Sequence, residues 1–210
     1  MRLLPLFPLN LVVFPGEKLN LHIFEPRYRE LVADCLETGL TFGIPPFLDE
    51  QVQEVGTEMR LVKVERSYPD GESDIRTQAV GRFRLQEMHR QAPGKLYAAG
   101  TVEELADETP ADAHLHRQIN AQVEQLYEVL GLQKLLLELP PNYSTFHLGH
   151  HLGFSTEQEY ELLRLPTEPE RQQFVLTHLK SILPVLLETE RLKERVRQNG
   201  HFKHLTPPNF

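Results

Sequence analysis

Residues 4–29 read LPLFPLNLVVFPGEKLNLHIFEPRYR and carry prolines at 5, 8, 15 and 26. Proline locks φ and removes a backbone donor, so each one narrows the route the chain can take. Two short apolar runs, 3–7 and 11–14, are cut by these prolines, and Pro15-Gly16 marks a turn directly after the second run. In residues 18–24 Leu19, Leu21 and Ile23 alternate with polar neighbours, the period of a half-buried strand. The period then changes. Tyr28, Leu31, Val32, Cys35 and Leu36 recur at three and four, one face of a helix, with Pro26 suited to its first turn and Gly39 to the position past its end.

The remaining first half reads as further short strands. Candidates are 41–47, 58–64, 73–88 (broken by Gly81) and 96–102, with a Pro69-Asp70-Gly71 turn in which proline sets φ and glycine admits a positive one. In the 73–88 run Phe83 and Leu85 alternate with Arg82 and Arg84, so one face is expected to be wet. The second half changes to helical spacing. Thr109-Pro110 reads as a helix start, followed by Leu115, Ile119, Val123, Leu126 and Leu130, with Gly131 as the end. Ser155 with Gln158, and Thr167 with Glu170, have capping-box spacing. A last helix is expected from about residue 168 to about 199, with glutamates at its start, Arg191, Lys193, Arg195 and Arg197 near its end, and a kink at Pro184. The implied division is a β-rich domain over 1–109, a helical subdomain over 110–200 and a loose tail over 201–210.

Composition narrows the partners. The net charge is −8, carried mostly by residues 1–109 with 12 basic against 18 acidic side chains, so nucleic acid is disfavoured on electrostatic grounds. Cys35 is the lone cysteine, which rules out an intrachain disulfide and a cysteine zinc site, and suits a reducing cytoplasm. The apolar N-terminus is interrupted by prolines and Asn10 and does not read as a secretory leader. No run approaches the roughly 20 apolar residues of a membrane helix.

Three blocks resemble the LON domain, the substrate-binding domain at the amino terminus of Lon proteases. They are residues 4–29, with Phe14-Pro15-Gly16 and His22-Ile23-Phe24-Glu25-Pro26-Arg27-Tyr28-Arg29; the Pro69-Asp70-Gly71 turn with Val80-Gly81-Arg82-Phe83-Arg84; and His147-Leu148-Gly149 with Arg191-Leu192 in the helical half. Together they cover most of residues 1–200. The resemblance implies an α+β fold: a twisted β pseudobarrel of PUA-like kind with one internal helix, followed by a C-terminal helical bundle. It also implies recognition of polypeptide segments. In Lon proteases this domain feeds an ATPase and a Ser-Lys peptidase. Here no G-x-x-x-x-G-K-[ST] occurs, so the resemblance is to a stand-alone, non-catalytic form with no cofactor.

Among individual residues, Phe24, Arg27, Tyr28 and Arg29 are expected at a domain edge as candidate peptide- or partner-binding positions, because Arg and aromatic side chains are enriched at binding hot spots. Arg82 and Arg84 are candidates for the same role on a strand face. His147, His150 and His151 share a face if that segment is an α-helix, so they are the candidate metal cluster, although no cysteine or acidic pair completes it. Lys180-Ser181 do not face one another on a helix and are not expected to form a dyad. Cys35 lies on a buried stripe and reads as a core thiol. The expected partner is an unfolded polypeptide or a partner protein, held in a cleft between the β domain and the helices. A small-ligand protein or metal-dependent enzyme using that cleft is the alternative, and RNA binding is the third possibility.

Overall fold

The computed structural model describes residues 1–106, 109–140 and 143–201. It divides the chain into two compact units, 1–109 with 143–168, and 110–142 with 169–210. This differs from a single boundary at 109, because residues 143–168 return to the β-rich unit. Residues 202–210, most of the expected tail, lie outside the described residues.

The first unit contains eight strands: β1 (Arg2–Leu6), β2 (Lys18–Ile23), β3 (Phe42–Ile44), β4 (Phe47–Leu48), β5 (Gln51–Val52), β6 (Val55–Ser67), β7 (Ser73–His89) and β8 (Ala98–Leu105). The main sheet runs β2-β7-β6-β3-β1-β8, and β8 also pairs with β7. That second pairing closes the ring β7-β6-β3-β1-β8 and leaves β2 outside it, the pseudobarrel expected from the resemblance. Only β1 and β3 run parallel in this ring.

β7 achieves closure by its length. Its first half pairs with β2 and its second half with β8, while β6 lies along much of its other side. Gly81 does not break this strand. The register with β6 shifts between Glu58 and Met59, which pair with Gly81 and Ala79, so Val80 is the extra residue of a bulge. Such a bulge bends a strand without ending it, which a strand shared between the closed ring and β2 outside it requires. The run 11–14 is not a strand either. Val12, Val13 and Phe14 are buried in irregular backbone, and the Thr57 hydroxyl donates to the Val13 carbonyl at 2.5 Å.

Helix α1 (Pro26–Thr38) has Pro26 in its first turn and ends on Gly39, whose φ of 72° is a left-handed conformation that costs glycine little. Its buried face is Tyr28, Leu31, Val32 and Cys35, and it packs with Phe7, Ile23, Phe42, Met59 and Ile75 in one cluster. Leu36, expected on that stripe, is 60% exposed. Phe7 stacks on Tyr28 with ring centroids 3.7 Å apart. A second cluster, Leu4, Leu6, Phe83 and Val102, joins strands of the ring.

The same unit also contains a 3₁₀ segment (Thr145–His151) and helix α3 (Thr156–Arg164). Ser155 caps α3 in the expected reciprocal fashion: its hydroxyl accepts from Gln158 N–H at 3.3 Å, and the Gln158 side chain accepts from Ser155 N–H at 3.0 Å. The second unit holds α2 (Ala113–Leu130), a 3₁₀ segment (Gln133–Glu138) and all but the first residue of α4 (Glu168–His201), which continues through Pro184. Helix α2 starts later than Thr109-Pro110 suggests. Asp112 is its cap and accepts from His114 N–H at 2.7 Å and Leu115 N–H at 3.0 Å. Gln172 of α4 meets both backbone groups of Asp112, accepting from the N–H at 2.8 Å and donating to the carbonyl at 3.3 Å. Ile119, Val123, Leu126 and Tyr127 of α2 and Val175, Leu176, Leu179 and Leu183 of α4 are buried.

Candidate functional site

The loop before β2 is pinned by the 3₁₀ segment. Phe14 stacks on Phe146 with centroids 5.6 Å apart and lies 4.9 Å from the His150 ring. Gly149 is required here because a methyl group in its place would collide with the Phe14 ring. Glu17 accepts from Phe14 N–H at 2.8 Å and meets His150 Nε2 at 3.0 Å, while Glu159 of α3 meets His150 Nδ1 at 2.7 Å. The hydrogen bond to Glu17 and the weaker help of Glu159 outweigh burial, and His150 is pushed up to about 9. This imidazolium is therefore a bridge between two carboxylates. The 3₁₀ form changes the geometry assumed for His147, His150 and His151: positions three apart eclipse, and the third imidazole turns away. His147 lies against Ser144, His151 is exposed, and among the described residues no three His, Cys, Asp or Glu side chains are placed to hold a metal.

Arg82, expected on a face open to solvent, is 3% exposed. Its Nη1 donates to the carbonyls of Leu163 at 2.7 Å and Leu165 at 2.8 Å, and its guanidinium lies 5.2 Å from the Phe146 ring centroid. The carbonyls at the end of α3 have no intrahelical donors, and Arg82 supplies them. It is a structural staple. Arg84, two residues along, keeps a partly exposed side chain, pairs with Glu54 at 3.1 Å, and lines a 240 Å³ pocket with Tyr160, Glu161 and Arg164.

At the start of α1, Tyr28 is buried against Phe7 and is not an exposed anchor. Arg29 donates to the Asp70 carbonyl at 2.8 Å, tying the helix to the β6–β7 turn. Phe24 is 56% exposed, and Arg27, half-exposed, pairs with Glu25 at 2.8 Å above the Tyr28 ring. Of these four expected positions, Phe24 and Arg27 keep their side chains at the surface.

A larger concavity lies elsewhere, and the sequence showed no sign of it. A groove of 630 Å³ runs beside β1, the end of α1 and the loop before β8; Leu3, Pro5, Leu40 and Pro93 are among its apolar lining. Arg2 and Lys95 also line it and are both neutralised. Arg2 pairs with Glu58. Lys95 meets Asp34 at 2.6 Å, and the Tyr97 hydroxyl donates to the same carboxylate at 2.6 Å. Asp34 is held below the usual carboxylate range by Lys95 first and then Tyr97. The lining residues come from three separated parts of the chain with no shared period.

A family model, the ATP-dependent protease La (LON) substrate-binding domain, matches residues 3–181. "Lon protease 2" of Thermus thermophilus is 25% identical over 205 residues, covering 89% of this chain and 25% of that protein, so the chain spans about a quarter of the curated relative's length. Among solved structures, the Lon N-terminal domain protein from Xanthomonas campestris has a TM-score of 0.66 at 26% identity, covering 84% of this chain and 98% of that one. The N-terminal domain of Mycobacterium avium complex Lon protease has a TM-score of 0.66 at 14% identity, covering 85% and 98%, which shows the shared fold. The domain that the match describes binds substrate and is not itself catalytic, and no helix among the described residues is long and apolar enough to cross a membrane. The chain belongs to the LON substrate-binding domain family.

Proposed function

We propose that this chain recognises polypeptide segments, in the cytoplasm, by taking apolar side chains of an unfolded client into the groove beside β1. The observation that carries this reading is the groove's chemistry: apolar walls, with Arg2 and Lys95 already neutralised by Glu58 and Asp34. Such a site favours a neutral apolar guest over an anion, since a new anion competes with carboxylates already in place. Affinity comes from apolar burial at about 25 cal/mol per Å², less the cost of ordering the client. The buried Cys35 thiol, pushed up to about 12 by burial, is inert and suits a reducing compartment.

Binding of a labelled, permanently unfolded client, followed by fluorescence anisotropy without nucleotide, tests the reading. Leu3→Glu places a charge on the groove wall at a half-exposed position and is expected to weaken binding roughly tenfold, the scale of losing one buried apolar side chain. Equal binding by the variant rules out the groove as the binding site, and no binding by the unaltered protein rules this function out. Saturation by a small apolar compound with no effect from clients favours a small-ligand role for the groove.

A further inference from the structure

The one strand outside the closed ring has an unused edge. β2 pairs only with β7, and no other element of the described structure runs alongside it. Ala79 N–H donates to the Glu17 carbonyl at 2.8 Å, and the register continues as Leu19 with Thr77, Leu21 with Ile75 and Ile23 with Ser73. Antiparallel strands alternate, so the residues between these, Lys18, Asn20 and His22, turn their N–H and C=O groups away from β7. The pairing with β7 shows no register shift from Lys18 to Ile23. The opposite margin of this arm is different. Beyond Arg60, β6 has lost β3, but its register shifts twice, at Leu61/Lys63 and at Val64/Arg66, and charged side chains stud it. Bulges and charges are how proteins prevent an edge from pairing. One edge is blocked and the other left regular. Just past the regular edge stands Phe24, 56% exposed, its ring centroid 6.2 Å from that of His22.

We propose that the outer edge of β2 accepts an extended polypeptide as an added strand, with Phe24 as an aromatic anchor at its end. The proposal rests on the polypeptide-recognition reading and goes beyond it by adding a contact surface that shares no residue with the groove beside β1. Three residues of backbone donors and acceptors call for a partner with the same spacing, which an extended peptide backbone supplies whatever its side chains are. Half-buried Leu19 and Leu21 would be covered by the new strand. Recognition through main-chain groups tolerates varied sequences, as reading many unfolded clients demands.

The test uses the full chain and a fluorescein-labelled ten-residue peptide of alternating valine and threonine with lysine ends. Asn20→Pro removes one outward N–H and no bond to β7, whereas Asn20→Ala changes the side chain and keeps the N–H. Asn20→Pro is expected to weaken binding about fivefold, Asn20→Ala to leave it unchanged, and Phe24→Ser to weaken it about fivefold. The same peptide with two adjacent central nitrogens methylated, offered to the unaltered protein, is expected to bind at least tenfold more weakly; this arm does not depend on how any variant folds. If peptide and unfolded client bind but methylation and Asn20→Pro have no effect, the edge proposal is overturned while groove-based recognition stands. If neither binds the unaltered protein, both readings fall together.

Discussion

The guanidinium of Arg82 lies beneath the end of α3 and donates to two of its carbonyls. Replacing it with methionine keeps the bulk and removes the donors to the buried Leu163 carbonyl and the half-buried Leu165 carbonyl. The expected loss is about 3 kcal/mol in urea unfolding at unchanged slope, with Arg82→Lys recovering part of it. A variant as stable as the parent would show that the staple contributes nothing. His150 gives a pH dependence whose sign is set by its raised value. Its folded value of about 9 lies above the ordinary 6.5, so its contribution is full below about pH 6.5 and fades as pH rises through about 9. The side chain is 37% exposed, so solvent screening limits the effect to about 1 kcal/mol. His150→Gln is expected to flatten the stability profile between pH 6.5 and 9.5; an unchanged slope counts against the bridge. Neither role was legible in sequence. Arg82 looked like one of two alternating charges on a strand, because alternation reports the face of a strand and not what later packs on that face.

Elements were read well where local backbone chemistry decides them. Pro26 and Gly39 bracket α1, Ser155 and Gln158 cap α3, and the Pro69-Asp70-Gly71 turn joins β6 to β7, closed by Gly71 N–H donating to the Tyr68 carbonyl at 3.0 Å. The misreadings have a common cause. Gly81 resembles a strand end when its partner strand is unknown, yet it sits at a bulge that bends β7. Thr109-Pro110 resembles a helix start, but Asp112 captures two N–H groups and Gln172 of α4 fixes its backbone, so tertiary contact chooses between two acceptable caps. Asp112→Ala is expected to cost about 1 kcal/mol. Circular dichroism at low denaturant should show fraying of α2, and an unaffected transition would mean the cap is dispensable.

On the scale of the whole molecule, the chain leaves the β-rich unit after residue 109 and returns to it at 143. Phe146, Leu148, Leu162 and Leu163 are all buried in that unit, and Phe14 loses its stacking partner without them. A polypeptide of residues 1–109 is therefore expected to unfold without a sharp transition and to bind a hydrophobic dye, although it contains every strand. Cooperative unfolding by that fragment would show that the returning segment is an accessory. The family, the β-rich half, the internal helix and the helical half were all present in the sequence, because turns, caps and periodicity are set by neighbours within a few residues. Only the tertiary structure decided which arginine is buried, that three histidines do not converge, that an apolar groove exists, and that one strand is left outside a closed ring. Each of these depends on residues tens of positions apart meeting in space, and local periodicity carries no record of such meetings.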